Sequence, residues 1–321
     1  MISFVALISI PCLFILTIAG VRKVIFKKEW PAPKDLSLNL LISSVITLAI
    51  TSCICLVFKW TGFFDSFFYR PSQRDYAQIQ KLELAPEELF FESKDGTRLH
   101  GYFLPAQGEA NGTVIHFHGS DRNISFTVRN SHWLTAAGLN VFAFDYRGYG
   151  KSQGTPTRQG IVQDSVAAIQ YVCERADVNP ERICLWGQSM GGQLAIVAAD
   201  LVRADGIRTI VAEATYASYC DQIKDKVAQI GPLWLIQWAA WLFTSDQYSA
   251  EKSVSRFAST PLLFVHGADD RVVQPEHSEH LYELATGPKQ IWRVENTGHL
   301  TVFNSESYRM KLLEYLAEVL N

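Results

Sequence analysis

A chain of 321 residues, 48% hydrophobic and with a formal charge of −3, can bury the core of one large α/β domain and leave residues over. Its weak negative charge offers no basic surface for nucleic acid. Of the six cysteines, Cys12, Cys53 and Cys55 fall in apolar amino-terminal runs, while Cys173, Cys184 and Cys220 match no metal or redox spacing and could form one disulfide at most, so this is no disulfide scaffold.

The residues left over come first. Residues 2–21 and 36–58 each run without a charge. At about 1.5 Å per residue, either run can cross a hydrocarbon layer roughly 30 Å thick. They predict two transmembrane helices within an anchor over residues 1–59. A cleaved signal peptide fits badly, because no basic stretch precedes the first run and a second run follows it. Arg22, Lys23, Lys27, Lys28 and Lys34 crowd the loop between the runs and predict that it is cytoplasmic. Both chain ends, and the large domain with them, then face the other side. Lys59, Arg70 and Arg74 weaken that asymmetry. Trp60, Phe63, Phe64, Phe67, Phe68 and Tyr69 form an aromatic belt just past the second run.

A linker over 60–86, polar from Pro71 to Pro86, leads into a domain expected over 87–321. Leu89–Glu92 and Leu99–Leu104, separated by Asp95-Gly96, read as a hairpin. Strands follow at Thr113–His118, Asn140–Asp145, Arg182–Trp186, Arg208–Ala212, Leu262–His266 and Gln290–Val294. Helices are expected to end at Gly138 and to run over Asp164–Arg175, past Gly191, over Glu276–Leu284 and over Ser307–Leu320. An antiparallel start followed by alternation predicts a mostly parallel sheet of about eight strands with helices on both faces. One stretch, 215–260, interrupts the alternation without a strand pattern. Within it, Trp234, Trp238 and Trp241 fall on one helical face. Such a helix either packs its tryptophans on the domain or caps a site that binds acyl chains.

Gly187-Gln188-Ser189-Met190-Gly191 carries the chemistry. A compact apolar strand precedes it and a small-residue helix follows. A serine on so sharp a turn has its hydroxyl clear of the backbone, and the flanking glycines remove side chains that would clash. The Met190 N–H then stands at the positive end of a helix, where a developing oxyanion is stabilised. A serine hydroxyl needs a base, and the base an orienting acceptor. Asp269 and Asp270 follow one buried strand, and His299 lies in the loop after the last, so the order is Ser, Asp, His.

From about Glu88 onward the chain resembles the α/β-hydrolase superfamily. It is most similar to membrane-tethered bacterial hydrolases of the serine-aminopeptidase-like and monoacylglycerol-lipase-like branch. The segments that carry this are His116-Phe117-His118-Gly119-Ser120, Asp145-Tyr146-Arg147-Gly148-Tyr149-Gly150-Lys151-Ser152, the serine turn, His266-Gly267-Ala268-Asp269-Asp270 and Gly298-His299. The resemblance implies Ser189 as nucleophile, His299 as base and Asp270 as acid, with Asp269 and then Glu213 as alternative acids. It implies the backbone N–H groups of Ser120 and Met190 as the oxyanion hole. His118 then supports a turn, His116 is a satisfied core histidine, and Asp145 and Arg147 are structural. Gln274 before Pro275 departs from the family's usual loop.

His116, His118 and Asp121 resemble the first ligand cluster of a metallo-hydrolase, but the aspartate is displaced by one position and no histidine follows it. His277 and His280 are expected on a solvated helix face. No metal and no cofactor is expected. The expected protein is a multi-pass hydrolase of a bacterial inner membrane, with its domain on the non-cytoplasmic side. It would cleave an ester, thioester or amide of a lipid-like, small-molecule or acylated-protein substrate, with peptides less favoured. A non-catalytic scaffold and an acyltransferase with the same triad are the alternatives.

Overall fold

The structure, a computed structural model, describes residues 68–76, 86–203, 206–229 and 244–320, together with positions 44–47, 49–50, 52–53 and 57. The chain divides into two units, Met1–Ile54 and Cys55–Asn321. In the first, the described positions are helical, and Val45, Ile46 and Ile50 are exposed. The expected span 2–21 and most of 36–58 lie outside the described residues. Among the described residues, no helix is long and apolar enough to cross a membrane. Trp234, Trp238 and Trp241 also lie outside them.

In the second unit, an 8-stranded sheet is formed by β2 (Glu87–Glu92), β3 (Arg98–Leu104), β4 (Gly112–Phe117), β6 (Leu139–Asp145), β7 (Ile183–Gln188), β8 (Ile207–Glu213), β9 (Leu262–Gly267) and β10 (Lys289–Val294). The strand order is β10-β9-β8-β7-β4-β6-β3-β2. From β10 to β6 every pairing is parallel; β3 runs against both β6 and β2. The expected hairpin is β2–β3, and Gly96 at its turn has φ +80°, a conformation that side chains resist.

Alternation along each strand sorts the core into two layers. Ile115, Phe117, Phe142, Phe144, Leu185 and Phe264 face one side; Val114, Val141, Ala143, Trp186 and Val265 face the other. The first layer is closed by α3 (Arg158–Cys173), α4 (Met190–Val202) and α6 (Glu276–Leu284). The second is closed by α1 (Ile124–Ser131), α2 (Trp133–Ala136) and α7 (Glu306–Leu320). Each fully buried Leu, Ile or Phe contributes about 1.5–3 kcal/mol.

The structure departs from expectation at several places. Helix α3 starts at Arg158 rather than near Asp164, because the Thr157 side chain caps it by accepting from Gly160 N–H. The strandless stretch after residue 215 contains α5 (Tyr219–Ala228), capped in the same way by Ser218. Part of the linker packs on the domain: β1 (Arg70–Pro71) pairs in parallel with β5 (Asp121–Arg122). Polar residues there satisfy their backbone groups on the domain itself.

Candidate active site

Ser189, between β7 and α4, has φ 55° and ψ −117°, a region costing on the order of 1–3 kcal/mol for a residue with a side chain. Tertiary bonds hold it there. Its N–H donates to Glu213 O at 2.8 Å, and its carbonyl accepts from Gly192 N–H at 3.1 Å and Thr215 Oγ1 at 3.2 Å. Close approach demands the flanking glycines. A Cβ at Gly187 would stand 2.3 Å from Gly191 O, and one at Gly191 would stand 2.0 Å from Phe117 O. The strain and the glycines together set the hydroxyl ahead of a helix N-terminus.

Asp270 and His299 meet. His299 Nδ1 lies 2.7 Å from Asp270 Oδ2, and Asp270 is only 3% exposed. The other carboxylate oxygen accepts from the N–H groups of Val272 at 2.8 Å and Val273 at 3.1 Å. Burial alone would raise the Asp270 pKa. The hydrogen bonds from His266 and His299 outweigh it and hold the carboxyl well below the usual carboxylate range. The loop bearing His299 leaves edge strand β10 and folds back over the end of β9, where Asp269 N–H donates to Thr297 O at 3.0 Å. Space there is so tight that a Cβ at Gly267 would stand 2.2 Å from Thr297 O. The loop thus carries the imidazole from the sheet's edge in the direction of β7. Leu300, directly after the histidine, has φ 55°, unusual for leucine.

The turn expected to complete the oxyanion hole backs onto the serine. A Cβ on Gly119 would lie 3.6 Å from Ser189 Cβ and 3.5 Å from Gln188 O. His118 Nδ1 is 2.7 Å from Gly119 O, and Tyr146 Oη donates to His118 O at 3.2 Å. Met190, the first residue of α4, is buried. As the first helical N–H group, its amide has no partner within the helix.

The alternative residues are engaged elsewhere. Asp269 is exposed. The Glu213 carboxyl, fully buried, accepts from Gln188 Nε2 at 2.8 Å, and burial pushes its pKa up to about 7. Asp145 Oδ1 accepts from Ile124 N–H, and Arg147 is clamped between Asp164 and Asp95, so both are structural. His116 is a core histidine, fully buried. Its ring stacks on Trp186, 4.4 Å between centroids and 7° between planes, with the Gln188 side chain as its polar neighbour. Burial lowers its pKa to about 3. Asp121 lies beside Arg122. The expectation of a solvated face for His277 is corrected: it is buried, its Nε2 is 3.0 Å from Asp225 Oδ2, and its Nδ1 accepts from Ala217 N–H. His280 does face outward.

One partner was not read from the sequence. His266 Nε2 lies 3.2 Å from the Asp270 oxygen that meets His299. The spacing of four residues in His266-Gly267-Ala268-Asp269-Asp270 was visible, but only the turn after β9 brings the two side chains together.

A six-strand parallel core, with a strained serine turn at the carboxyl end of a central strand, is the architecture of an α/β hydrolase. Residues 124–318 match the prolyl oligopeptidase family (Peptidase_S9), and the chain belongs to that family within the α/β-hydrolase superfamily. The uncharacterized protein YfhR of Escherichia coli (strain K12) is 35% identical over 263 residues, covering 80% of this chain and 88% of that one. An esterase from Pyrococcus furiosus superposes with a TM-score of 0.64 at 21% identity, covering 79% of this chain and 97% of the esterase. Acetyl xylan esterase 1 from Thermoanaerobacterium gives a TM-score of 0.61 at 20% identity, over 78% and 88% respectively. At such identities these two structures speak for the fold.

Proposed function

We propose that the protein is a membrane-anchored serine hydrolase that works through an acyl-enzyme on Ser189. The observation that carries the reading is the 2.7 Å contact of His299 Nδ1 with the buried Asp270 carboxylate, at the same sheet edge as the strained serine. With Nδ1–H held by Asp270, His299 Nε2 is the basic nitrogen. It takes the Ser189 proton as Oγ attacks an acyl carbonyl, then returns that proton to the leaving group. The Ser120 and Met190 N–H groups receive the negative charge on the carbonyl oxygen, each such donor being worth about 10²–10³ in rate. Water, deprotonated by the same imidazole, releases the acid. The residues named need no metal or cofactor for any step.

The apolar runs 2–21 and 36–58 support an anchor in a bacterial inner membrane, and the basic loop between them supports a domain on the non-cytoplasmic side. Membrane proximity and the tryptophans at 234, 238 and 241 support acyl esters of lipids or acylated proteins over free peptides. Membership of a peptidase family keeps peptide amides as the competing substrate class. A fluorophosphonate probe tests the mechanism: it labels the wild type and not Ser189→Ala. Labelling that survives Ser189→Ala, or folded wild type that takes no label, overturns it. Esters of graded chain length test the substrate class, and indifference to length counts against lipids. A reporter fused after Asn321 reads the sidedness.

A further inference from the structure

A backbone N–H stabilises an oxyanion only if its peptide plane is held, because hydrogen bonds weaken steeply with misalignment. Within the turn, His118 Nδ1, 2.7 Å from Gly119 O, holds the peptide that carries the Ser120 N–H. The next peptide, which begins at the Ser120 carbonyl and fixes the other side of Ser120, is held by two segments remote in sequence. The Ser120 carbonyl accepts from Arg70 N–H at 2.9 Å and from Tyr149 Oη at 2.9 Å. The same Arg70 N–H lies 3.1 Å from Tyr149 Oη, so the three groups close a small ring. Tyr149 is fully buried, which leaves its hydroxyl little other choice of partner.

The rest of the segment is fastened to the same turn and to the helix it leads into. Arg70 and Pro71 pair with Asp121 and Arg122. Asn123 Nδ2 donates to Ser72 O and Arg74 O, each at 2.8 Å, while Asn123 Oδ1 caps α1 by accepting from Ser125 N–H at 3.0 Å. Gly150 N–H donates to Ser72 O at 3.0 Å, and Tyr76 N–H to Ser125 Oγ at 2.8 Å. At the upstream end, the Phe68 ring sits edge-on to Tyr219, 5.0 Å between centroids. From Phe68 to Tyr76 the chain forms a strap whose bonds converge on the loop between β4 and α1. A tether needed only to join an anchor to an enzyme would not concentrate its bonds there.

We propose that Arg70 and Tyr149 are positioning residues for the oxyanion turn, and that the Phe68–Tyr76 strap sets the orientation of the Ser120 N–H in the reacting enzyme. This rests on the reading of Ser120 as an oxyanion donor. Arg70 acts through its backbone N–H and Tyr149 through its hydroxyl, and both act through one carbonyl.

Three variants of the full-length chain test it: Tyr149→Phe, which removes one oxygen; Arg70→Pro, which removes the backbone donor; and the double variant. For each, kcat and KM on a short acyl ester are measured per active site titrated with fluorophosphonate. Affinity for a trifluoromethyl ketone, whose adduct carries the oxyanion, and thermal stability are measured alongside. Each single variant lowers kcat about tenfold, a part of the 10²–10³ carried by a whole donor. KM stays within about twofold, and ketone affinity falls in step with kcat, as expected for a contact made only in the transition state. The double variant loses no more than the worse single one, because the two share a target. The proposal is overturned if kcat per site and ketone affinity are unchanged while stability drops, or if the two losses multiply. Tyr149→Phe decides the matter alone should Arg70→Pro not fold. Failure of the triad reading is separately visible, as wild type that takes no label.

Discussion

His266 Nε2 lies 3.2 Å from Asp270 Oδ2, the carboxylate oxygen that also meets His299 Nδ1 at 2.7 Å. The tautomer of His266 follows from its other contacts. Val273 O, 3.1 Å from Nε2, can only accept, so Nε2 carries the proton and Nδ1 accepts from Ser278 Oγ at 2.6 Å. A relay of fixed groups thus runs from Ser278 through His266 to Asp270 and His299. His266→Leu therefore lowers kcat about tenfold, the worth of one lost hydrogen bond to a charged group, with KM little changed. Kinetics per titrated site check this, and an unchanged kcat would show that the backbone amides suffice to hold Asp270.

Asp270→Asn reverses the logic of the site rather than weakening it. The amide can present a donor where His299 Nδ1–H needs an acceptor, so the imidazole takes the wrong tautomer. A loss of about 10⁴ in kcat is expected, with the fold retained. Circular dichroism and turnover on one preparation check both halves.

Glu213 gives a pH dependence of stability with a definite sign. Burial raises its folded pKa to about 7, above the 4.5 of a free glutamate. Between those values the folded state holds a proton that the unfolded chain has released, so stability falls as pH rises through the window. Glu213→Gln removes that slope. The stability of wild type relative to the variant declines by on the order of 2 kcal/mol from pH 4.5 to 7, read from denaturant midpoints. Parallel curves would mean that Glu213 ionises as freely in the fold as outside it.

Arg147 is a test of structure as distinct from chemistry. Its guanidinium lies 2.7 Å from Asp164 Oδ1 and 2.8 Å from Asp95 Oδ2, and the Asp164 side chain is fully buried. Arg147→Met strands the Asp164 charge and costs about 3–5 kcal/mol of stability. Turnover per titrated site changes less than about twofold, and a larger change would bring the loop into the reaction.

Much of this was legible from the chain. Near-continuous apolar runs in β4, β7 and β9 can bury both faces of a sheet only if helices cover both sides, which fixes the layered class. The serine between close-packed glycines was legible because only a missing side chain lets Gly191 approach Phe117 O. His277 was misread, since three-residue spacing on α6 says nothing about which face meets α5. The start of α3 was hidden by Gly160, a poor helix former that the Thr157 cap rescues.

The sequence by itself determined the α/β class, the order of a serine, a carboxylate and a histidine along the chain, and the apolar amino-terminal runs, because periodicity and local turn chemistry are written in neighbouring residues. Only the tertiary structure decided that Asp270 rather than Asp269 or Glu213 meets the imidazole, that His266 shares its oxygen, and that Arg70 and Tyr149 grip Ser120. Those are contacts between residues far apart in the chain or turned together by a loop. They depend on the angle at which each loop leaves its strand, which packing sets and no local pattern records.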